Sequence, residues 1–129
     1  MTPLESNEQR NEQRYRRLLP VRVGYLELTT ANVSQRGLQV VCPIMRFERI
    51  KAAVRRGELA AEVSLPTGAP IAATLTVRYC SQSGDEILIG TQLTVADAET
   101  QARWDAYIEE LSGKLRDGSK SRPTADVFV

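Results

Sequence analysis

Residues 58–80, ELAAEVSLPTGAPIAATLTVRYC, decide the fold class, because two apolar runs of period two flank a turn-prone segment. Every second residue of the runs is apolar or aromatic: Leu59, Ala61, Val63 and Leu65, then Ile71, Ala73, Leu75, Val77 and Tyr79. This alternation is typical of strands that bury one face. The intervening residues 66–70, PTGAP, favour a turn. The stretch therefore predicts two antiparallel strands, with Tyr79 on the same face as the core residues.

Further alternating runs lie on both sides of this pair. They occupy about residues 18–23, 26–32, 37–42 and 86–94, with a turn at 81–85 before the last one. The alternation changes phase near Gly24, which indicates either a β-bulge or a two-residue turn with Gly24 at a position that tolerates positive φ. The spacing of roughly six short strands predicts an all-β antiparallel barrel or sandwich.

Two helices interrupt or follow the strands. Near residues 44–56, Phe47, Ile50 and Val54 recur at helical spacing, and Gly57 is suited to a left-handed helix end. Later in the chain, an amphipathic helix is predicted from an apolar stripe formed by Trp104, Ile108, Leu111 and Leu115. We expect Trp104 to pack in the core at an open end of the barrel. Residues 117–129 are predicted to form a flexible tail.

The length, charge and residue content of the chain exclude several kinds of partner and catalytic mechanism. The 129 residues suffice for one domain, here residues 18–116. The formal net charge of +1 argues against DNA or RNA as a partner. The absence of histidine excludes Ser-His-Asp and Cys-His catalysis and imidazole-ligated zinc, and we expect no enzyme activity and no metal site. The two cysteines, Cys42 and Cys80, are expected to be reduced and half-buried.

Residues 1–17 are polar and rich in arginine, so they predict a flexible basic arm that becomes ordered when it meets a partner. No apolar leader precedes the domain, which favours a cytoplasmic location. The longest uncharged stretch, residues 63–77, contains two prolines and is too short for a membrane span.

A second polar motif, Asn32-x-Ser34-x-x-Gly37, lies between two predicted strands. In extended chain, residues i and i+2 point the same way, so the amide and hydroxyl groups can reach one face of a planar polar ligand. Gly37 allows positive φ and a close approach of a ligand to the backbone. In the arm, Arg10 and Arg14 offer two guanidinium groups suited to phosphate or to the O6/N7 edge of guanine.

Over about residues 10–115, the chain resembles the PilZ domain family. The resemblance lies in the order of its features: the arginine pair, a strand, the second motif, the alternating strands and the amphipathic helix. The resemblance implies a six-stranded antiparallel barrel that binds cyclic di-GMP. The arm arginines would bind the phosphates and guanine edges, and Asn32 and Ser34 the other guanine edges. In the family the second arginine usually lies directly before the first strand, a place that Arg17 occupies here. Arg14 and Arg17 are therefore the alternative pair.

The resemblance implies a cytoplasmic receptor domain that needs no cofactor. Cyclic di-GMP would order the arginine-rich arm, and the change would be relayed to an effector protein that the sequence does not identify. The alternative is a PilZ-like adaptor that has lost nucleotide binding and acts only through protein contacts.

Overall fold

The computed structural model describes the backbone of residues 13–121 and the side chains of residues 13–113. Its strands are β1 (Arg14–Arg16), β2 (Pro20–Val23), β3 (Leu26–Ser34), β4 (Gly37–Pro43), β5 (Glu58–Val63), β6 (Ile71–Ser83) and β7 (Glu86–Thr94). Its helices are a 3-10 helix (Ile44–Arg49), α1 (Lys51–Arg56) and α2 (Ala98–Ser121).

Six of the strands close into an antiparallel barrel. They are hydrogen-bonded in the order β3-β2-β5-β6-β7-β4, and β4 pairs again with β3. The inward residues form one core whose largest fully buried members include Leu38, Leu59, Ile71, Leu75, Ile89 and Trp104. The predicted six-stranded antiparallel barrel is confirmed.

The seventh strand, β1, corrects the predicted boundary of the arm. The sequence predicts a flexible segment for residues 14–16, but they pair with residues 32–34 at the end of β3 that β2 does not reach. The side chain of Tyr15 is buried opposite Val33, which anchors this short strand in the core. Arg10 and the rest of residues 1–12 lie outside the described part of the chain.

The change of phase near Gly24 is a turn rather than a bulge. Gly24 has a φ of 64°, and Val23 pairs with Leu26, so two residues connect β2 and β3. A register shift does occur in β3, but it lies further on, between Thr30 and Asn32.

The hairpin of β6 and β7 differs from the prediction in two ways. Strand β6 continues through Ser83, and the turn contains only Gly84 and Asp85 instead of residues 81–85. A register shift between Val77 and Tyr79 also moves Tyr79 off the core face. Its side chain is 49% exposed.

The helices lie at opposite ends of the barrel. The 3-10 helix and α1 confirm the short inserted helix: Ile50 between them is buried, and Gly57 ends α1 with a φ of 95°. At the other end, the Asp97 carboxylate accepts the N–H of Thr100 at 2.7 Å and caps α2. This helix continues through Ser121, so it includes residues 117–121 of the predicted tail.

The apolar stripe of α2 packs on the core. Trp104, Ile108 and Leu111 are buried as predicted. Arg103 donates to the carbonyl of Ala69 at 2.7 Å and holds the helix against the β5–β6 loop. Among the described helices, none combines the length and the apolar character needed to cross a bilayer.

Both cysteines are free thiols, as expected, but neither is half-buried. Cys42 is inside the barrel and Cys80 is exposed on β6. Burial raises the pKa of the Cys42 thiol, so it stays protonated at neutral pH.

Candidate functional site

The turn from β3 to β4 is held by Ser34. Its hydroxyl accepts the N–H of Gly37 and donates to the Gly37 carbonyl, each at 3.3 Å. The Ser34 side chain is fully buried. Ser34 therefore fixes the shape of the turn, and its hydroxyl is not open to solvent.

Gly37 is required for a reason that differs from the predicted one. Its φ is not in the left-handed region, so the expectation that glycine serves positive φ here is wrong. A Cβ at this position would lie 2.0 Å from the carbonyl oxygen of Thr91 on β7. Glycine is needed because the β7 backbone approaches at this point.

Strand β1 places Arg14 directly over the second motif. Its Nε donates to Oδ1 of Asn32 at 2.8 Å, and its Nη1 lies 3.5 Å from Oγ of Ser34. The register explains this contact, since Arg14 pairs with Ser34. The structure thus brings together Arg14, Asn32, Ser34 and Gly37 of the predicted site residues.

Arg17 lies elsewhere. Its Nη1 donates to the carbonyl of Arg16 at 2.6 Å, and its side chain is exposed. Burial raises the pKa of Tyr107 on α2, and the positive charge of Arg17 partly opposes this rise. Arg17 is therefore close enough to α2 to act on Tyr107 electrostatically.

Gln39 and Tyr79, which the sequence did not predict for the site, extend it over the outer surface of the barrel. Asn32 Nδ2 donates to Gln39 Oε1 at 3.2 Å, and Gln39 Nε2 donates to the Tyr79 hydroxyl at 2.8 Å. We call Arg14, Asn32, Gln39 and Tyr79 the polar row. Hydrophobic alternation could not reveal it, because alternation places Tyr79 in the core and only the bulge in β6 turns it outward.

The same turn is tied to the C-terminal helix and to β7. The Trp104 indole N–H donates to the carbonyl of Gln35 at 3.1 Å, and the Leu93 N–H donates to the carbonyl of Arg36 at 2.8 Å. A change in the conformation of the turn would therefore alter a hydrogen bond of α2 directly.

The polar row presents a guanidinium, two carboxamides and a phenol on the outside of a rigid barrel. Such groups bind planar polar molecules and anions through hydrogen bonds. In the side chains described, no group of three or more Cys, Asp or Glu residues is arranged to hold a metal ion.

Comparison with known proteins identifies the family of the chain. The model of the PilZ domain matches residues 8–110, which is most of the chain. The chain belongs to the PilZ domain family. PilZ domains are receptor and adaptor domains rather than enzymes.

The fold is also similar to that of a solved structure, the Bacillus subtilis inhibitor of motility MotI/DgrA. The two share 15% sequence identity with a TM-score of 0.62 over 82% of this chain. The match covers 52% of the MotI/DgrA chain, so this chain spans about half the length of that protein. No curated protein sequence matches this chain.

Proposed function

We propose that this PilZ domain is a receptor for cyclic di-GMP. The observation that carries the proposal is the position of Arg14, whose guanidinium lies on Asn32 and close to Ser34. Arg14 on β1 and two residues of the second motif therefore meet at one place on the barrel, as the family pattern requires. In this proposal the domain works in the cytoplasm.

Arg14 supplies the charge of the site. A guanidinium binds a phosphate, or the O6/N7 edge of guanine, through two parallel hydrogen bonds. The bond from Nε to Asn32 fixes the plane of the guanidinium before a ligand arrives. This lowers the entropy that binding must otherwise overcome.

Ser34 acts as a positioning residue in this proposal. Because its hydroxyl is buried and bonded to Gly37, it sets the turn that follows β3, next to Asn32 on β3 and Arg14 on the paired strand β1. Asn32 is partly exposed and is the member of the second motif that meets the ligand.

The second arginine of the site is Arg10 or Arg17. In either case a ligand with two phosphates would draw a cationic segment toward the barrel, and the altered surface would be read by an effector protein. The link from the Gln35 carbonyl to Trp104 gives α2 a direct connection to the same turn.

Calorimetric titration of the full chain with cyclic di-GMP tests the proposal. Wild type should bind, and Arg14→Ala should weaken binding about 30-fold or more through loss of charge-assisted hydrogen bonds. Arg22→Ala is the matched control, because Arg22 forms an exposed ion pair with Glu62 and does not belong to the polar row. Absence of heat from folded wild type with excess ligand would overturn the proposal.

The second arginine is identified by comparing Arg10→Ala with Arg17→Ala. If Arg10 is the partner of Arg14, only the first variant loses affinity. Loss confined to Arg17→Ala would assign the pair Arg14 and Arg17 instead.

An adaptor that does not bind the nucleotide is the second candidate function. The burial of Ser34 favours it, because that hydroxyl is already bonded to Gly37. Such a protein would act through contacts with a partner alone, and the titration of wild type separates the two functions.

A further inference from the structure

We infer that Tyr79 and Gln39 extend the nucleotide site across the barrel, with Tyr79 stacking on a guanine base and Gln39 hydrogen-bonding to the edge of that base. This inference rests on the proposed function, because it names further contacts of the same ligand.

The position of the Tyr79 ring is fixed by a glycine. A Cβ added to Gly90 would lie 2.1 Å from Cε2 and 2.2 Å from Cζ of Tyr79, so the ring fills the space above Gly90. Its hydroxyl accepts from Gln39 on β4 at 2.8 Å, although Tyr79 belongs to β6. The ring therefore lies across β7, between two strands that do not pair with each other.

The outward side of this ring is accessible. Tyr79 is 49% exposed, although its ring contacts Gly90 and its hydroxyl contacts Gln39. An exposed aromatic ring on a β-sheet is the surface on which many proteins stack nucleic acid bases. Because its hydrogen bond and Gly90 already hold the ring, stacking would cost little side-chain entropy.

One hydrogen-bond donor of Gln39 remains next to the ring. Gln39 gives one amide N–H to Tyr79, and within residues 13–113 its second N–H has no acceptor. Guanine offers two acceptors on one edge, O6 and N7. The second N–H of Gln39 can therefore donate to one of these acceptors on a guanine whose face lies on Tyr79.

The order of the side chains along the polar row also suits a nucleotide. Hydrogen bonds connect Arg14 to Asn32, Asn32 to Gln39 and Gln39 to Tyr79. A cationic group thus stands at one end and an aromatic ring at the other. Cyclic di-GMP has both parts, charged phosphates and planar bases, joined in one molecule.

Titration of full-length variants with cyclic di-GMP tests the inference. Tyr79→Ala should weaken binding about tenfold, as loss of one base–aromatic stack does. Tyr79→Phe keeps the ring and should keep most of the affinity. Tyr25→Ala is the matched control, since Tyr25 is fully exposed in the turn between β2 and β3, at the other end of β3 from Ser34.

Proton NMR of the bound ligand gives a second readout that does not depend on affinity. A guanine stacked on Tyr79 should show an upfield ring-current shift of its H8 resonance, and Tyr79→Ala should remove that shift while Tyr25→Ala retains it.

The outcomes separate the two proposals. Normal affinity in Tyr79→Ala, an unshifted H8 resonance, or equal losses in Tyr79→Phe and Tyr79→Ala would overturn the stacking assignment and leave the receptor function intact if Arg14→Ala still binds weakly. No binding by wild type would overturn the receptor function and this inference with it.

Discussion

Two outer faces of the same barrel differ in what their side chains do. On the face formed by β3, β4 and β7, long side chains reach over neighbouring strands and form the polar row. On the face formed by β2, β5 and β6, the outward residues include Ala60, Ala72 and Thr74, and the exposed pair of Arg22 and Glu62. We call this second face the small-residue face. A surface depression of about 860 Å³ lies on this second face, with the Gly24-Tyr25 turn at its border.

The inward residues of the two faces are alike. Val33, Leu38 and Ile89 below the polar row are as deeply buried as Val21, Val63 and Leu75 below the small-residue face. The core residues therefore do not cause the difference between the two faces. It lies in the outward half of the alternating pattern, where Gly90 provides room for an aromatic ring to cross a strand.

Among the substitutions that test the difference between the two faces, Gly37→Ala should lower the stability most. The new Cβ would meet the backbone of Thr91, which cannot move without separating β4 from β7. We expect the free energy of unfolding in urea to fall by about 3 kcal/mol. Gly24→Ala on the other face meets no atom and incurs only the strain of its positive φ, about 1 kcal/mol. Equal losses would show that β7 does not constrain Gly37.

Ser34→Ala should have a smaller effect. It removes the buried hydroxyl that accepts the N–H of Gly37, and an unsatisfied buried donor costs about 1–2 kcal/mol. The matched substitution on the small-residue face is Thr74→Ala, where the exposed side chain leads us to expect a change within about 0.5 kcal/mol. Chemical denaturation measures both, and no loss in Ser34→Ala would contradict the role of Ser34 in the turn.

The smallest effect concerns Tyr107 on α2, which lies near Arg17. Burial raises the pKa of Tyr107 above its unfolded value of about 10. The protonated phenol is therefore favoured by folding, so its contribution to stability is complete below pH ~10 and is lost as the pH rises through the folded pKa. Tyr107→Phe should make the free energy of unfolding fall less steeply in this alkaline range.

Arg17 provides a second test, at the same tyrosine. Its positive charge lowers the pKa of Tyr107, so Arg17→Ala should raise that pKa further. The ultraviolet absorbance of tyrosinate, taken as a difference from Tyr107→Phe, measures the shift. An unchanged titration would place Arg17 away from α2.

Alternation in the sequence predicted the strands and their core faces, since Leu59, Leu75 and Ile89 do point inward, but it left barrel and sandwich open. It did not predict β1, because three residues with a single apolar side chain, Tyr15, give no periodic signal. It also placed Tyr79 on the wrong face, because one extra residue in β6 reverses every side chain that follows.

The candidate site was predicted in part. The spacing of Asn32 and Ser34 showed which residues share a side of β3, and both contact Arg14. The burial of Ser34 and the need for Gly37 depend on β7, which is distant in sequence, so local patterns could not reveal them. Gln39 was missed for a similar reason, since its partners lie on β3 and β6.

The hydrogen bond from Trp104 to the carbonyl of Gln35 has a practical consequence. Trp104 is the sole tryptophan among the 129 residues, and its indole contacts the turn that Ser34 shapes. Indole emission depends on the polarity and hydrogen bonding around the ring. The protein therefore carries an intrinsic fluorophore whose spectrum reports any rearrangement of that turn without an added label.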